Sequence, residues 1–168
     1  LRYHRNIFFY FIFILLFIAH MFHISILLPS IVLVFFIVTN NTKTVYSIVF
    51  WVFTSILLFT GFNEILFSQV PLLSNALTRY SSDSTVLAYG RGVNRLDFWA
   101  FNTFFIILGL VFNNYLNKSK EYGVLLNIFI ILTSLINMFA FIAYSDRLYS
   151  YSWFIAPLII SFDYKNYY

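Results

Sequence analysis

The chain has 168 residues, of which 61% are hydrophobic and 23% aromatic, with only 10% charged and no cysteine. A soluble domain carries about 25% charged residues, so this composition excludes a soluble globule and requires an integral membrane protein, and its several apolar blocks exclude a signal peptide or a single anchor. Ten Lys and Arg against six Asp and Glu are too sparse and scattered for a nucleic-acid surface, and without cysteine there is neither a disulfide framework nor a thiolate metal site.

In chain order, Leu1-Arg2-Tyr3-His4-Arg5 is a short basic flank. Residues 7–38 then contain no charged side chain. About 20 residues cross a bilayer's hydrocarbon core, so this run is too long for one straight span and long enough for two short ones. We place these spans at about 7–23 and 26–39, with a bend at His20, His23, Ser25 and Pro29. Ionisable groups at membrane depth are costly and are kept mainly where they face a cavity, a pathway or a site. The ordinary alternative for a buried histidine is a satisfied packing residue. Two of them at i and i+3, on one helical face and followed by Ser25, favour a site. Asn40-Asn41-Thr42-Lys43 is a polar turn, and a third span at about 45–62 is apolar all round, facing lipid and neighbouring helices.

Between about 63 and 80 the pattern changes. Leu66, Val70, Leu73 and Leu77 recur at helical spacing, with Gln69, Ser74, Asn75, Thr78 and Arg79 between them. This is an amphipathic helix, broken or kinked near Pro71, that lies in the interface plane. Ser81-Ser82-Asp83-Ser84 opens a polar loop that continues through Gly90-Arg91-Gly92 to Arg95. Long ordered loops commonly carry function, but Gly-Arg-Gly is too short for a phosphate-binding loop. A fourth span follows at about 98–112 with Asp97 and Trp99 at its mouth, then a polar loop with Lys118, Lys120 and Glu121. The fifth span, about 123–143, carries Asn127, Ser134 and Asn137 on one side; polar glue between helices is the plain explanation. Tyr144-Ser145-Asp146-Arg147 is a tight, charged turn before a sixth span at about 148–162 that contains Pro157.

The expected fold class is therefore all-α: a polytopic membrane helical bundle of about six transmembrane helices plus one interfacial amphipathic helix. It forms a single transmembrane domain over 1–168 with an outer loop at about 63–96. The chain opens on Leu1 and closes almost inside its last apolar segment, so we expect a C-terminal fragment of a longer protein, although a processed N-terminus would look the same.

Basic residues decide the topology. With a bend after the histidines, Arg2, Arg5, Lys43, Lys118, Lys120 and Lys165 share one side, and Arg79, Arg91, Arg95 and Arg147 the other. The positive-inside rule puts the first group in the cytoplasm. Every lysine is then inside, and every outer basic residue is an arginine, whose planar fork suits bidentate binding of carboxylate or phosphate. The His/Ser bend falls on that outer side too. His-x-x-His without a neighbouring acid is a poor zinc motif, and no Asp-x-Asp marks a nucleotide-sugar metal site, so no metal is expected. Without Gly-x-Ser-x-Gly or a Walker loop, an esterase and an ATP-driven transporter are disfavoured. The outer face reads as a site for an anionic, partly polar substrate; a lipid-linked diphosphate fits, and so, less specifically, does an anion to be transported.

These residues carry a resemblance. Ala19-His20-Met21-Phe22-His23-Ile24-Ser25-Ile26-Leu27-Leu28-Pro29 resembles the "A…F-H-x-S-x-L…P" stretch of the EpsG-like, Wzy-type bacterial polysaccharide polymerases, with His23 and Ser25 at the matching positions and His20 additional. Ala76-Leu77-Thr78-Arg79-Tyr80 is similar to the family's "L…K/R-Y" segment, and Asp146-Arg147-Leu148-Tyr149-Ser150-Tyr151 to its late "R-x-x-x-Y" turn. The family's earlier spans, with their Arg- and Asp-bearing outer loop, have no counterpart in the sequence.

The resemblance implies glycosyl transfer on the outer face of the bacterial cytoplasmic (inner) membrane by a multi-pass protein. A glycan on undecaprenyl diphosphate would pass to a second lipid-linked repeat unit, with membrane lipid around it, a chain-length regulator protein as a partner, and no cofactor. His23 is then the candidate base and Arg147 the first candidate for stabilising the diphosphate, both catalytic. His20, Ser25, Arg79, Arg91 and Arg95 are candidates for substrate binding. For any one arginine, an interfacial snorkelling side chain is the plain alternative. Two other functions remain open: a flippase or transporter of the same lipid-linked oligosaccharide, expected to show paired broken helices or internal repeats, and a membrane acyltransferase.

Overall fold

The computed structural model describes residues 43–69, 82–89, 92–115 and 120–161, all within the compact unit 41–168. Every element among them is helical: α1 (Thr44–Thr60), α2 (Phe62–Ser68), α3 (Asp83–Tyr89), α4 (Leu96–Tyr115), α5 (Lys120–Met138) and α6 (Ser145–Ser161). The two expected spans before residue 40, with their histidine bend, lie outside the described residues, as do residues 70–81 of the expected amphipathic stretch.

Two helices among the described residues are long and apolar enough to cross a membrane, α4 over Leu96–Asn114 and α5, while α1 is apolar but shorter. At 1.5 Å per residue α1 is about 25 Å long, which tilt or local thinning can match to a bilayer. It stops at Gly61, whose φ of 69° lies in the left-handed region, with the Gly61 N–H donating to the Leu58 carbonyl. That is a glycine C-cap, and α2 starts directly after it. Phe62, Ile65 and Leu66 are exposed on α2.

The distribution of side chains is that of a protein solvated by lipid. Large apolar residues point outward: Val49, Phe53 and Ile56 on α1, Phe104 and Ile107 on α4, Phe154 on α6. Polar ones are buried: Ser47, Thr54 and Ser55 on α1, Asn102 on α4, Asn127, Thr133, Ser134 and Asn137 on α5, Ser152 on α6. Water would favour the reverse, whereas in a bilayer polar groups gather between helices and apolar ones face hydrocarbon. The protein is a helical membrane protein.

Helix α5 is its centre, with α1, α4 and α6 packed around it. Tyr122, Leu126, Phe129 and Ile130 of α5 form the apolar core with Ile106 of α4 and Ala156 and Ile159 of α6. Close approach depends on Gly109, where a Cβ would stand 2.6 Å from Leu126 Cδ1 and 3.1 Å from Ile159 Cγ2. Small residues at such crossings let helix backbones come together. The Tyr122 hydroxyl uses this opening to donate to the Gly109 carbonyl at 3.3 Å.

Contacts also give the helix directions. The Asn94 N–H, just before α4, donates to the Ala140 carbonyl just after α5 at 2.8 Å. Trp99, near the start of α4, donates its Nε1–H to Ser55 Oγ of α1 at 2.9 Å. So α1 and α5 run one way and α4 and α6 the other. Of the polar groups of α5, Asn137 binds helices together. Asn137 Oδ1 accepts from the Tyr149 hydroxyl at 3.0 Å, and the Asn137 carbonyl accepts from Asn63 Nδ2 at 3.2 Å. One layer down, Asn102 Nδ2 donates to Ser152 Oγ at 3.0 Å. Ser134 instead returns its hydroxyl to the Ile130 carbonyl of its own helix at 2.7 Å.

Three boundaries differ from expectation. Helix α4 begins at Leu96 and runs to Tyr115, so Asp97 and Trp99 lie in its first turn. Helix α5 ends at Met138, because the chain tightens into short i→i−3 bonds from the Phe139 and Ala140 N–H groups to the Ile136 and Asn137 carbonyls. Helix α6 begins at Ser145, directly after Tyr144 in the left-handed region at φ 62°. The expected outer loop at 63–96 contains the short helices α2 and α3.

The Asn137–Tyr149 bond can be tested with a double-mutant cycle. Asn137→Leu and Tyr149→Phe should each destabilise the protein by about 1 kcal/mol, because each leaves a buried partner unpaired. The double variant should recover about 0.6 kcal/mol of their sum, the usual scale for interhelical bonds in lipid. Reversible unfolding in mixed micelles measures this, and strictly additive losses would mean that the bond contributes no net stability.

Candidate functional site

The starts of α4 and α6 lie side by side at the end of the bundle where α1 and α5 stop. Between them opens a cavity of about 600 Å³ lined by Arg95, Phe98, Asp146, Arg147, Ser150 and Trp153, within the usual size range for a small-molecule site.

The α4 side is set by Asn94, which adopts φ 51°, a left-handed conformation that asparagine tolerates better than most residues. Its backbone N–H is held by Ala140, and its side-chain oxygen accepts from Asn63 Nδ2 at 3.3 Å. Arg95 therefore leaves a fixed backbone. Its Nε donates to Asp97 Oδ1 at 2.7 Å, a second guanidinium nitrogen pairs with Asp97 Oδ2, and the guanidinium lies 4.3 Å from the centre of the Phe98 ring. Both members of this pair are partly exposed, so it stabilises the fold by no more than about 1 kcal/mol; its effect is to hold the Arg95 fork.

The α6 side is set by Tyr144. Its left-handed backbone turns the chain into the helix, and its carbonyl accepts from the Arg147 N–H at 3.0 Å. The Arg147 guanidinium sits 4.8 Å from the Tyr144 ring. It is exposed and has no ion-pair partner among the described residues. Ser150, one turn on, donates to the Arg147 carbonyl at 2.6 Å, and Trp153 follows on the same face.

The two arginines thus differ. Arg95 has its charge met by Asp97, while Arg147, which lines the cavity, has no ion-pair partner among the described residues. A cation in the first turn of a helix opposes the macrodipole, at a cost of about 0.3–1 kcal/mol. Asp97 and Asp146 in the first turns of α4 and α6 follow the rule; Arg147 breaks it. Lys43 and Lys120 stand at the starts of α1 and α5, hence at the opposite end of the bundle.

Of the residues singled out in the sequence, Arg95 and Arg147 come together in this cavity. His20, His23, Ser25, Arg79 and Arg91 lie outside the described residues. Among the described residues no group of three or more His, Asp or Glu side chains assembles. Phe98, Asp146, Ser150 and Trp153 were not anticipated. Their signal was the i, i+4, i+7 spacing of Asp146, Ser150 and Trp153, which becomes visible once α6 starts at Ser145 instead of Leu148.

The cavity can bind an anionic group by charge-assisted hydrogen bonds, next to an aromatic wall that can take an apolar or ring-shaped moiety. Comparison with known proteins agrees with the resemblance carried by residues 19–29, 76–80 and 146–151. The EpsG family model matches residues 1–168. Neither the curated proteins nor the solved structures provide a match. The chain belongs to the EpsG family, and is a membrane protein related to polysaccharide biosynthesis.

Proposed function

We propose that this protein polymerises lipid-linked oligosaccharide repeat units into a surface polysaccharide, on the outer face of the bacterial cytoplasmic membrane. The observation that carries this reading is the Arg147 fork, without an ion-pair partner among the described residues, at the cavity between α4 and α6 and at the bundle end away from Lys43 and Lys120. In the reaction, the bond between the anomeric carbon and the lipid diphosphate breaks while a new bond forms to a hydroxyl of the acceptor unit. The diphosphate departs with added negative charge, which Arg147 stabilises through two parallel N–H···O contacts, with Arg95 close by. The hydroxyl proton passes to His23, a base suited to neutral pH. His20, Ser25, Arg79 and Arg91 complete the substrate contacts in this reading, and a chain-length regulator is the protein partner.

Three outcomes follow. The first concerns orientation. In this cysteine-free chain, Ser84→Cys should react with a membrane-impermeant thiol reagent in intact cells, while Lys43→Cys and Lys120→Cys should be protected; the opposite pattern would reverse the topology.

The second concerns Arg147. Arg147→Lys keeps the charge and loses the fork, so it should shorten the polymer nearly as severely as Arg147→Ala, a loss of about tenfold or more in transfer rate. Normal chain lengths in Arg147→Lys at equal protein level would reduce Arg147 to a point charge.

The third concerns His23. His23→Gln keeps hydrogen bonding but cannot titrate near neutral pH. It should leave single repeat units displayed outside the cell and abolish long polymer. Repeat units stranded on the cytoplasmic leaflet would instead mark a flippase, and normal polymer from abundant His23→Gln protein would remove His23 from catalysis.

A further inference from the structure

Asn63 is fully buried and does not line the cavity, yet every polar atom of its side chain is bonded. Its Nδ2 donates to Asn94 Oδ1 at 3.3 Å and to the Asn137 carbonyl at 3.2 Å, while its Oδ1 accepts from the Glu64 N–H at 3.0 Å. The two acceptors stand 31 and 74 residues further along the chain. One side chain thus joins the start of α2, the last turn of α5 and the residue before Arg95. Only a carboxamide supplies two donor hydrogens and an acceptor in one small plane.

The consequence for the cavity runs through Asn94. Its backbone is left-handed at φ 51°, and its N–H donates to the Ala140 carbonyl at 2.8 Å. A main-chain bond and a side-chain bond therefore fix Asn94 before the chain enters α4. The next residue, Arg95, reaches Asp97 and rests 4.3 Å from the centre of the Phe98 ring. A rotation at Asn94 would carry that guanidinium away, because it stands at the far end of a long side chain. Arg147 provides the contrast. Its backbone is set by the Tyr144 carbonyl at 3.0 Å, where Asn63 has no part.

We infer that Asn63 is a positioning residue for the cavity, which it never touches: acting through Asn94, it holds the Arg95 guanidinium at the cavity wall. The inference rests on the proposed function only for its consequence, that an anion bound at Arg147 has Arg95 beside it.

The test reads the two arginines separately. The purified chain in detergent is treated with phenylglyoxal, an arginine reagent, and the modification rates of Arg95 and Arg147 are compared by peptide mass spectrometry. Asn94→Gly keeps the left-handed backbone and removes the acceptor; Asn63→Leu removes the donor. Each should raise the Arg95 rate relative to Arg147 about fivefold, the factor that one net hydrogen bond carries. Because both act through one bond, the double variant should show no further rise, whereas independent losses would multiply to about 25-fold. A rise of both arginines together would mean general loosening and overturn the inference, as would an unchanged ratio in Asn94→Gly, the milder variant that decides if Asn63→Leu does not fold. Calorimetric titration with inorganic diphosphate tests the consequence. Its affinity should fall in Asn94→Gly by about the same factor. Absence of diphosphate binding in the wild type would overturn the reading of the cavity as an anion site, and the ratio of the two arginines would still decide the role of Asn63.

Discussion

No water reaches the hydrocarbon core, so a polar side chain is better placed between helices than against lipid. The arrangement around α5 follows from that constraint. This helix carries Asn127, Thr133, Ser134 and Asn137 and is consequently the one that α1, α4 and α6 surround. Asn137 is the most consequential of these residues. It ties the Tyr149 hydroxyl of α6 through its side chain and Asn63, just after α1, through its carbonyl. Asn63 in turn donates to Asn94, the residue that sets the backbone of Arg95. The polar pairing that assembles the helices therefore also places the two arginine-bearing helix starts.

Charge at these helix starts sets Arg147 apart from its ionisable neighbours. Asp97 and Asp146 lie where a helix dipole favours anions and need no further account. Arg147 lies where the dipole disfavours a cation, and no carboxylate offsets it among the described residues. Arg95 stands in the same field, but its guanidinium is taken up by Asp97 and the Phe98 face. One fork is thus held, and the other has no ion-pair partner among the described residues.

Much of this was legible in the sequence. Low charge and long apolar blocks specify helices in lipid, and the separation of lysines from outer arginines agrees with Lys43 and Lys120 standing opposite Arg95 and Arg147 in the bundle. The inward face of α1 was not legible. Against so many Phe, Val and Ile, three small hydroxyl residues, Ser47, Thr54 and Ser55, do not interrupt an apolar pattern, yet with Leu57 and Leu58 they form the buried side. A hydroxyl at that spacing costs little in a helix, because it can return its hydrogen to the preceding turn, as Ser55 does to the Trp51 carbonyl at 2.8 Å. Hydropathy alone therefore cannot show which way such a helix faces. The cavity lining was hidden for a different reason. A turn was expected at Tyr144–Arg147, which would place Arg147 outside any helical register, whereas the chain turns earlier, over residues 139–144, and the left-handed Tyr144 ends the turn and returns Arg147 to the helix.

That shift changes what Arg147 can do. An arginine on a loop samples many positions, and ordering it on binding opposes affinity. An arginine in the first turn of a packed helix, resting against the Tyr144 ring with Ser150 bonded to its carbonyl, has much of that ordering already done. Sites carried on helices hold their geometry better than sites on loops. The same helix brings Ser150 and Trp153 to the cavity as well, so one element supplies the charge, the hydroxyl and the aromatic wall.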